Sequence, residues 1–286
     1  MSKEGKIVFS SKKEKRRNIL YCILGIFIAI LFLFPIYWLI CMSFKSDAES
    51  FGMVVTYYPH NFTVKPWLDN LQDADFISSL RNSIIIALLS MCLSMAFGVT
   101  AAYGMGRYKV PGYKAFLLTF LVTQMLPASL MLTPMYLTFS KLNLLDTYLA
   151  PALAISSGTI PFVVVTLRPY FKGVPTSLDD AARIDGCGVL QSFLKIMLPA
   201  IKTGLVTVVV ISFLNGWNDL VYSMTFNVDA GMRPLTANIY RFQSKWGTRW
   251  NAIMAYGAIL VLPVIFIVVF LQRYIVSGLT AGSVKE

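Results

Sequence analysis

Residues 178 to 199 read Leu-Asp-Asp-Ala-Ala-Arg-Ile-Asp-Gly-Cys-Gly-Val-Leu-Gln-Ser-Phe-Leu-Lys-Ile-Met-Leu-Pro, a polar, helix-capable island between two strongly apolar stretches. Pro175, Thr176 and Ser177 stop the preceding chain. The spacing predicts Ser177 as a helix cap, with Asp180 three residues later completing a shortened capping box. Asp179 and Asp180 suit the positive end of the helix dipole, and Gly186 suits a left-handed stop. A helix of about eight residues results, ~12 Å long at ~1.5 Å per residue. Being polar and short, it lies off the membrane normal. Leu178, Ala181, Ala182 and Asp185 are expected on one side, where two alanines would let another backbone come close.

Working outward, the composition is that of a multi-span membrane protein: 56% of the 286 residues are hydrophobic, 14% are charged, and the mean hydropathy is +0.65. A hydrocarbon core ~30 Å thick needs about 20 mostly apolar residues per helix. Six stretches qualify, near 18–44, 80–104, 115–138, 147–167, 201–223 and 252–272. The expected fold class is an all-α integral membrane protein with six transmembrane helices. Along the chain it divides into an arm (1–17), a first span with its external loop (18–79), a transmembrane domain (80–272) carrying a cytosolic loop (169–199), and a tail (273–286).

The net charge of +11 could suggest nucleic acid, but its distribution points to lipid instead. With the N-terminus inside, 17 of the 25 Lys and Arg residues fall on cytosolic segments, seven of them within residues 1–17. The positive-inside rule then places both termini and residues 168–200 in the cytosol. The opening apolar run is too long for a secretory signal and lacks a small-x-small cleavage site, so it reads as an uncleaved span. Three of the four cysteines lie in expected spans, and one histidine, His60, makes no metal constellation.

Pro35, Pro127, Pro134, Pro151, Pro161 and Pro263 interrupt the spans and predict kinks within a packed bundle, because freed carbonyls in lipid need neighbours or water. Ser90, Ser94, Gly98, Ala102 and Gly106 recur every four residues and carve a groove along one helix face. It can serve this chain's own bundle or a partner. In the external loop, Trp67, Tyr57 and Tyr58 suit an interfacial belt. Gln124, in the third stretch, reads as an interhelical hydrogen-bond partner.

The pattern Asp180-Ala181-Ala182, Asp185-Gly186 and Ile196-x-Leu198-Pro199 resembles the cytoplasmic coupling loop of ATP-binding-cassette importer permeases. Arg107-Tyr-Lys-Val-Pro-Gly-Tyr-Lys114, Phe213-Leu-Asn-Gly-Trp-Asn-Asp219 and the ending from Gln272 are similar to carbohydrate permeases of the maltose type. The resemblance implies the type I importer permease fold in a bacterial or archaeal cell membrane. It also implies a second homologous permease, two ATPase subunits that bind ATP and Mg, and an extracytoplasmic sugar-binding protein. Coupling to the ATPase would rest on Asp179, Asp180, Ala181, Ala182, Asp185 and Gly186. Asp180 stands where that family usually has Glu.

Asn215, Trp217, Asn218 and Asp219 are the candidate substrate pathway, since amides and carboxylates exchange hydrogen bonds with sugar hydroxyls while an aromatic face covers the ring. No Gly-x-x-x-x-Gly-Lys-Ser/Thr phosphate loop is present in the sequence, so hydrolysis is expected on a separate subunit, with no cofactor, metal or catalytic residue here. A secondary transporter would want ionisable groups buried mid-span and often an internal repeat. A membrane enzyme would want converging acids, bases or metal ligands, and Asp219 with Asn218 is too thin a constellation.

Overall fold

A computed structural model describes residues 12–244 and 247–280 of the chain, with side chains described for 16–242 and 248–272. The helices are α1 (Lys12–Ser43), α2 (Asp47–Ser50), α3 (Lys65–Gln72), α4 (Ala74–Arg107), α5 (Tyr113–Met125), α6 (Ala128–Lys141) and α7 (Leu149–Gly173). They continue with α8 (Thr176–Ile184), α9 (Val189–Ser192), a π-helical turn (Phe193–Met197), α10 (Leu198–Ala200), α11 (Lys202–Trp217), α12 (Val221–Phe226), α13 (Leu235–Asn238) and α14 (Trp250–Thr280). One two-residue pairing, Gln243–Ser244 with Gly247–Thr248, is the sole strand pair among the described residues.

Among the described residues, four helices are long and apolar enough to cross a membrane: α1, α4, α7 and α14. The other two expected spans are not single rods. The stretch at 115–138 is α5 and α6, bent by 99° at Leu126–Pro127; that at 201–223 is α11 ending at Trp217, with the preceding Val189–Ala200 segment turned by 88°. Counting each bent pair as one span gives six. Most of the expected prolines do not break their helices: Pro35, Pro134, Pro161 and Pro263 lie inside continuous helices, and Pro151 lies in the first turns of α7. At Pro127 the helix does stop, because Leu126 before it takes an extended conformation (φ −75°, ψ 125°), as a residue preceding proline prefers.

The bundle is organised on α4, whose 34 residues are ~51 Å long at ~1.5 Å per residue. α7 and α11 pack along it, and α11 also meets α14. The small-residue groove is used inside this chain. Ser90, Ser94, Gly98 and Ala102 are buried, and a Cβ added at Gly98 would lie 2.7 Å from the Val163 side chain of α7. At the Ser90 end of the groove, Gly216 of α11 comes so close to α4 that a Cβ there would sit 2.7 Å from Ala87 Cα. Two backbones therefore touch where a larger residue would force them apart. Gly98→Leu is expected to lower the stability of the purified protein by about 1–3 kcal/mol through overpacking, whereas Gly104→Ala, with open space around it inside α4, does not lower the thermal midpoint.

α4 also separates the two ends of the molecule. Beside its start, Asn70 of α3 donates to Ala252 O at the head of α14 (3.1 Å), and Arg241 pairs with Asp73. Beside its finish, Arg107 meets the helix predicted to couple, α8. At the first end, the segment after α1 is tied down by a buried Lys45 and Glu49. Burial opposes the Glu49 charge, but hydrogen bonds from Thr56, the backbone N–H groups of Asn61 and His60, and the His60 ring outweigh it and hold the carboxyl down to about 2.

Candidate functional site: the anchored helix α8 and the broken span

Helix α8 exists where the sequence places it, but it starts two residues earlier than expected. Pro175 occupies the N-cap position with no side-chain cap bond, so Ser177 does not cap it and the shortened capping box does not form. Proline's missing N–H costs nothing there, because the first amides of a helix have no intrahelical acceptor. The C-terminal stop is as read: Gly186 has φ +76°, its N–H donates to Arg183 O (3.1 Å), and the Cys187 N–H donates to Ala182 O (2.9 Å). These two bonds are the paired closure of a Schellman motif.

The face of α8 differs from expectation. Ala182 is buried against the rest of the chain, while Asp180, Ala181, Ile184 and Asp185 are exposed. The two alanines therefore do not form one open patch. At 100° per residue, Asp179 and Ala182 point inward, and Asp180, Ala181 and Ile184 point outward. Ile184 is 86% exposed, an unusual cost for an isoleucine outside lipid.

Arg107, at the end of α4, sets that rotation; the sequence reading named it only as the start of a short loop, not as a partner of α8. Its Nε donates to Asp179 Oδ2 (2.9 Å), its Nη2 bonds the same oxygen, and its Nη1 donates to Val174 O (2.6 Å) and Phe171 O (3.2 Å). The guanidinium side chain is 6% exposed. One buried fork thus joins three elements: the end of α4, the last carbonyls of α7 and the first turn of α8. A cation at the C-terminal carbonyls of α7 is also favoured by that helix's dipole. A second arginine, Arg168 on α7, donates to Met105 O (3.3 Å) and lies over the Tyr113 ring at 4.5 Å. Asp179 therefore faces its own bundle.

The four residues expected to line the pathway split. Trp217 is buried, donates from Nε1 to Leu260 O (3.2 Å) and stacks on Phe213. Asp219 caps α12, accepting from Ser223 N (2.8 Å), Ser223 Oγ (2.7 Å) and Tyr222 N (3.3 Å). Both have structural employment. Asn215 and Asn218 are exposed, with Asn215 donating to Thr159 Oγ1 at 3.3 Å.

A mostly apolar cavity with a few polar groups lies at the break between α5 and α6. It has a volume of about 540 Å³ and is lined by Thr119, Thr123, Gln124, Ser157 and Tyr222 among apolar neighbours such as Met131. Residues 121–130, the break and its flanks, are all exposed. Gln124 opens onto this cavity, whereas the sequence reading made it a bond between helices. The signal that could have found the cavity is Leu126-Pro127, since a helix cannot carry its hydrogen bonds through that step unaided.

The Binding-protein-dependent transport system inner membrane component model matches residues 94–281, which include α7, α8 and α11. The chain belongs to that family. This permease is 28% identical over 252 residues to the diacetylchitobiose uptake system permease protein of Streptomyces coelicolor, covering 88% of this chain and 91% of that one. It is 30% identical over 277 residues to the trehalose/maltose transport system permease protein of Thermococcus litoralis, covering 96% and 99%. Among solved structures it is similar to a bacterial ABC transporter involved in the import of the acidic polysaccharide alginate, with a TM-score of 0.81 at 22% identity, over 93% of this chain and 99% of that one. The permease therefore has the helical fold of ABC importer subunits.

Proposed function

We propose that this permease is one of two related transmembrane subunits of an ATP-driven sugar importer fed by an extracytoplasmic binding protein, with hydrolysis on two separate ATPase subunits. The observation that carries this reading is α8, a polar helix held to the bundle by Arg107 while Asp180, Ala181 and Ile184 project outward. Such a helix can receive force from a docked ATPase and pass it along α4 and α7 as a rigid lever. Relatives named for diacetylchitobiose and for trehalose/maltose support sugar as the cargo and import as the direction. The end bearing α8 is cytosolic in this reading, and both termini lie on that side.

The break between α5 and α6 supplies a wall of the pathway. Backbone that leaves the helix inside a membrane is tolerated only against protein or a water-filled cavity. The cavity beside it offers hydroxyls and an amide that can exchange hydrogen bonds with a sugar, and Tyr222 and Phe120 offer ring faces. With the partner subunits in liposomes, uptake of labelled oligosaccharide should require both internal ATP and the external binding protein. Gln124→Leu should lower uptake about tenfold, the cost of roughly one hydrogen bond to a polar cargo, with basal ATP hydrolysis unchanged. Uptake by this chain alone, driven by an ion gradient, would contradict the proposal.

A further inference from the structure

The segment between α2 and α3 carries Phe51, Met53, Val54, Val55, Tyr57 and Tyr58, all with more than half of their surface exposed, and Met53 is fully exposed. From Ser50 to Pro59 it holds no charged residue. In water, such a run of large apolar side chains would be a costly surface. It is not a floppy excursion, because its base is fixed at both ends: Lys45 Nζ donates to Thr56 O (2.5 Å), and Thr56 Oγ1 donates to Glu49 (2.6 Å).

Its position decides what covers it. The segment folds back along the membrane-crossing helix α1. Tyr57 O accepts from Tyr37 Oη (2.5 Å) and from Cys41 Sγ (3.2 Å), and the Tyr57 ring meets Trp38 edge-on at 6.1 Å. Tyr37 precedes the end of α1 at Ser43 by six residues, ~9 Å along the axis at ~1.5 Å per residue. The apolar part of α1, Arg16–Ser43, has 28 residues, ~42 Å, which matches a bilayer of ~40–45 Å including its headgroups. Tyr57 is therefore carried through the headgroup layer to the edge of the hydrocarbon. The neighbouring surface of α1 is exposed apolar side chain along its length, so the segment continues a face that already meets lipid.

We infer that residues 51–58 form an interfacial anchor that inserts into the leaflet at the Ser43 end of α1, with the lipid acyl boundary as its partner. Met53, Val54 and Val55 occupy the acyl side, and the tyrosines sit at headgroup level, where an aromatic ring with a polar tip is favoured. The charges needed to fix the loop, Lys45 and Glu49, are withdrawn into the protein, 2% and 7% exposed, so that none is dragged into lipid. The anchor holds the first span and its external loop against α14 without requiring another protein.

The test uses the assembled transporter in nanodiscs, its native cysteines replaced, with a bimane fluorophore at Met53→Cys, a second at Val54→Cys, and a control at Asp75→Cys, whose side chain is 83% exposed. At 53 and 54 the emission should shift to the blue, be quenched by nitroxide-bearing lipid and resist aqueous iodide, with the control behaving oppositely. Iodide quenching at 53 and 54 without lipid quenching would overturn the inference. So would protection from both quenchers, which would mean that protein covers the loop. Labelling both positions guards against one variant failing to fold.

Discussion

Replacing Arg107 with Met is expected to cut ATP-driven uptake about tenfold while the ATPase subunits continue to hydrolyse ATP. The guanidinium is nearly buried, and its loss leaves the Asp179 carboxylate and the Val174 and Phe171 carbonyls without their donors. Removing one member of a buried pair costs about 3–5 kcal/mol when the structure cannot move. Asp179 is at 23% exposure, so the cheaper response is for α8 to swing out and let water solvate it. A lever that swings freely transmits less, and ~1.4 kcal/mol lost from coupling is tenfold in rate. The decisive readout is solute moved per ATP consumed, which a merely less stable protein would not lower. Arg107→Lys should recover little, because an ammonium cannot reach a carboxylate and two carbonyls as a planar fork does.

Blocking the outward face of α8 should have the larger effect. Ala181→Trp and Ile184→Glu change two exposed positions without touching the buried side of the helix. The isoleucine is left in solvent by this chain alone, and burying such a side chain in a partner is worth about 1.5–3 kcal/mol. Replacing it with a carboxylate loses that gain and adds desolvation of a charge. Each variant should insert and fold normally by thermal midpoint, yet fail to retain the ATPase subunits through affinity purification. Retention of the ATPases at the wild-type level by both variants would show that they bind elsewhere.

Much of this was legible in the sequence, because lipid allows few solutions. Four of the six apolar stretches became single helices, and the polar island at 178–186 became α8 with its left-handed Gly186. The broken spans were not legible in detail. Pro127 and Pro161 look alike in sequence, yet one ends a helix and the other sits inside one, since the outcome depends on whether neighbouring groups can take over the freed carbonyl.

Nor could the sequence orient α8. Leu178, Ala181, Ala182 and Ile184 share one side of the nine-residue helix, yet the bundle buries Ala182 and leaves Ala181 and Ile184 exposed, so periodicity alone points to the wrong face. The choice comes from a tertiary bond, Arg107 to Asp179, between residues 72 positions apart. Trp217 and Asp219 illustrate the converse: their chemistry suits a sugar, but the fold uses them to join α11 to α14 and to cap α12. Gln124, by contrast, opens onto the cavity beside the break between α5 and α6.

Site-directed crosslinking at α8 bears most directly on whether nucleotide-driven force enters the permease through this helix. With the native cysteines removed, single cysteines at Ala181, Ile184 and Ala182 would be treated with a short bifunctional maleimide in the assembled transporter. Capture of an ATPase subunit at 181 and 184, changing with bound nucleotide, and none at the buried 182, is the expected result. No capture at 181 or 184 in an assembly that still hydrolyses ATP and transports would contradict it.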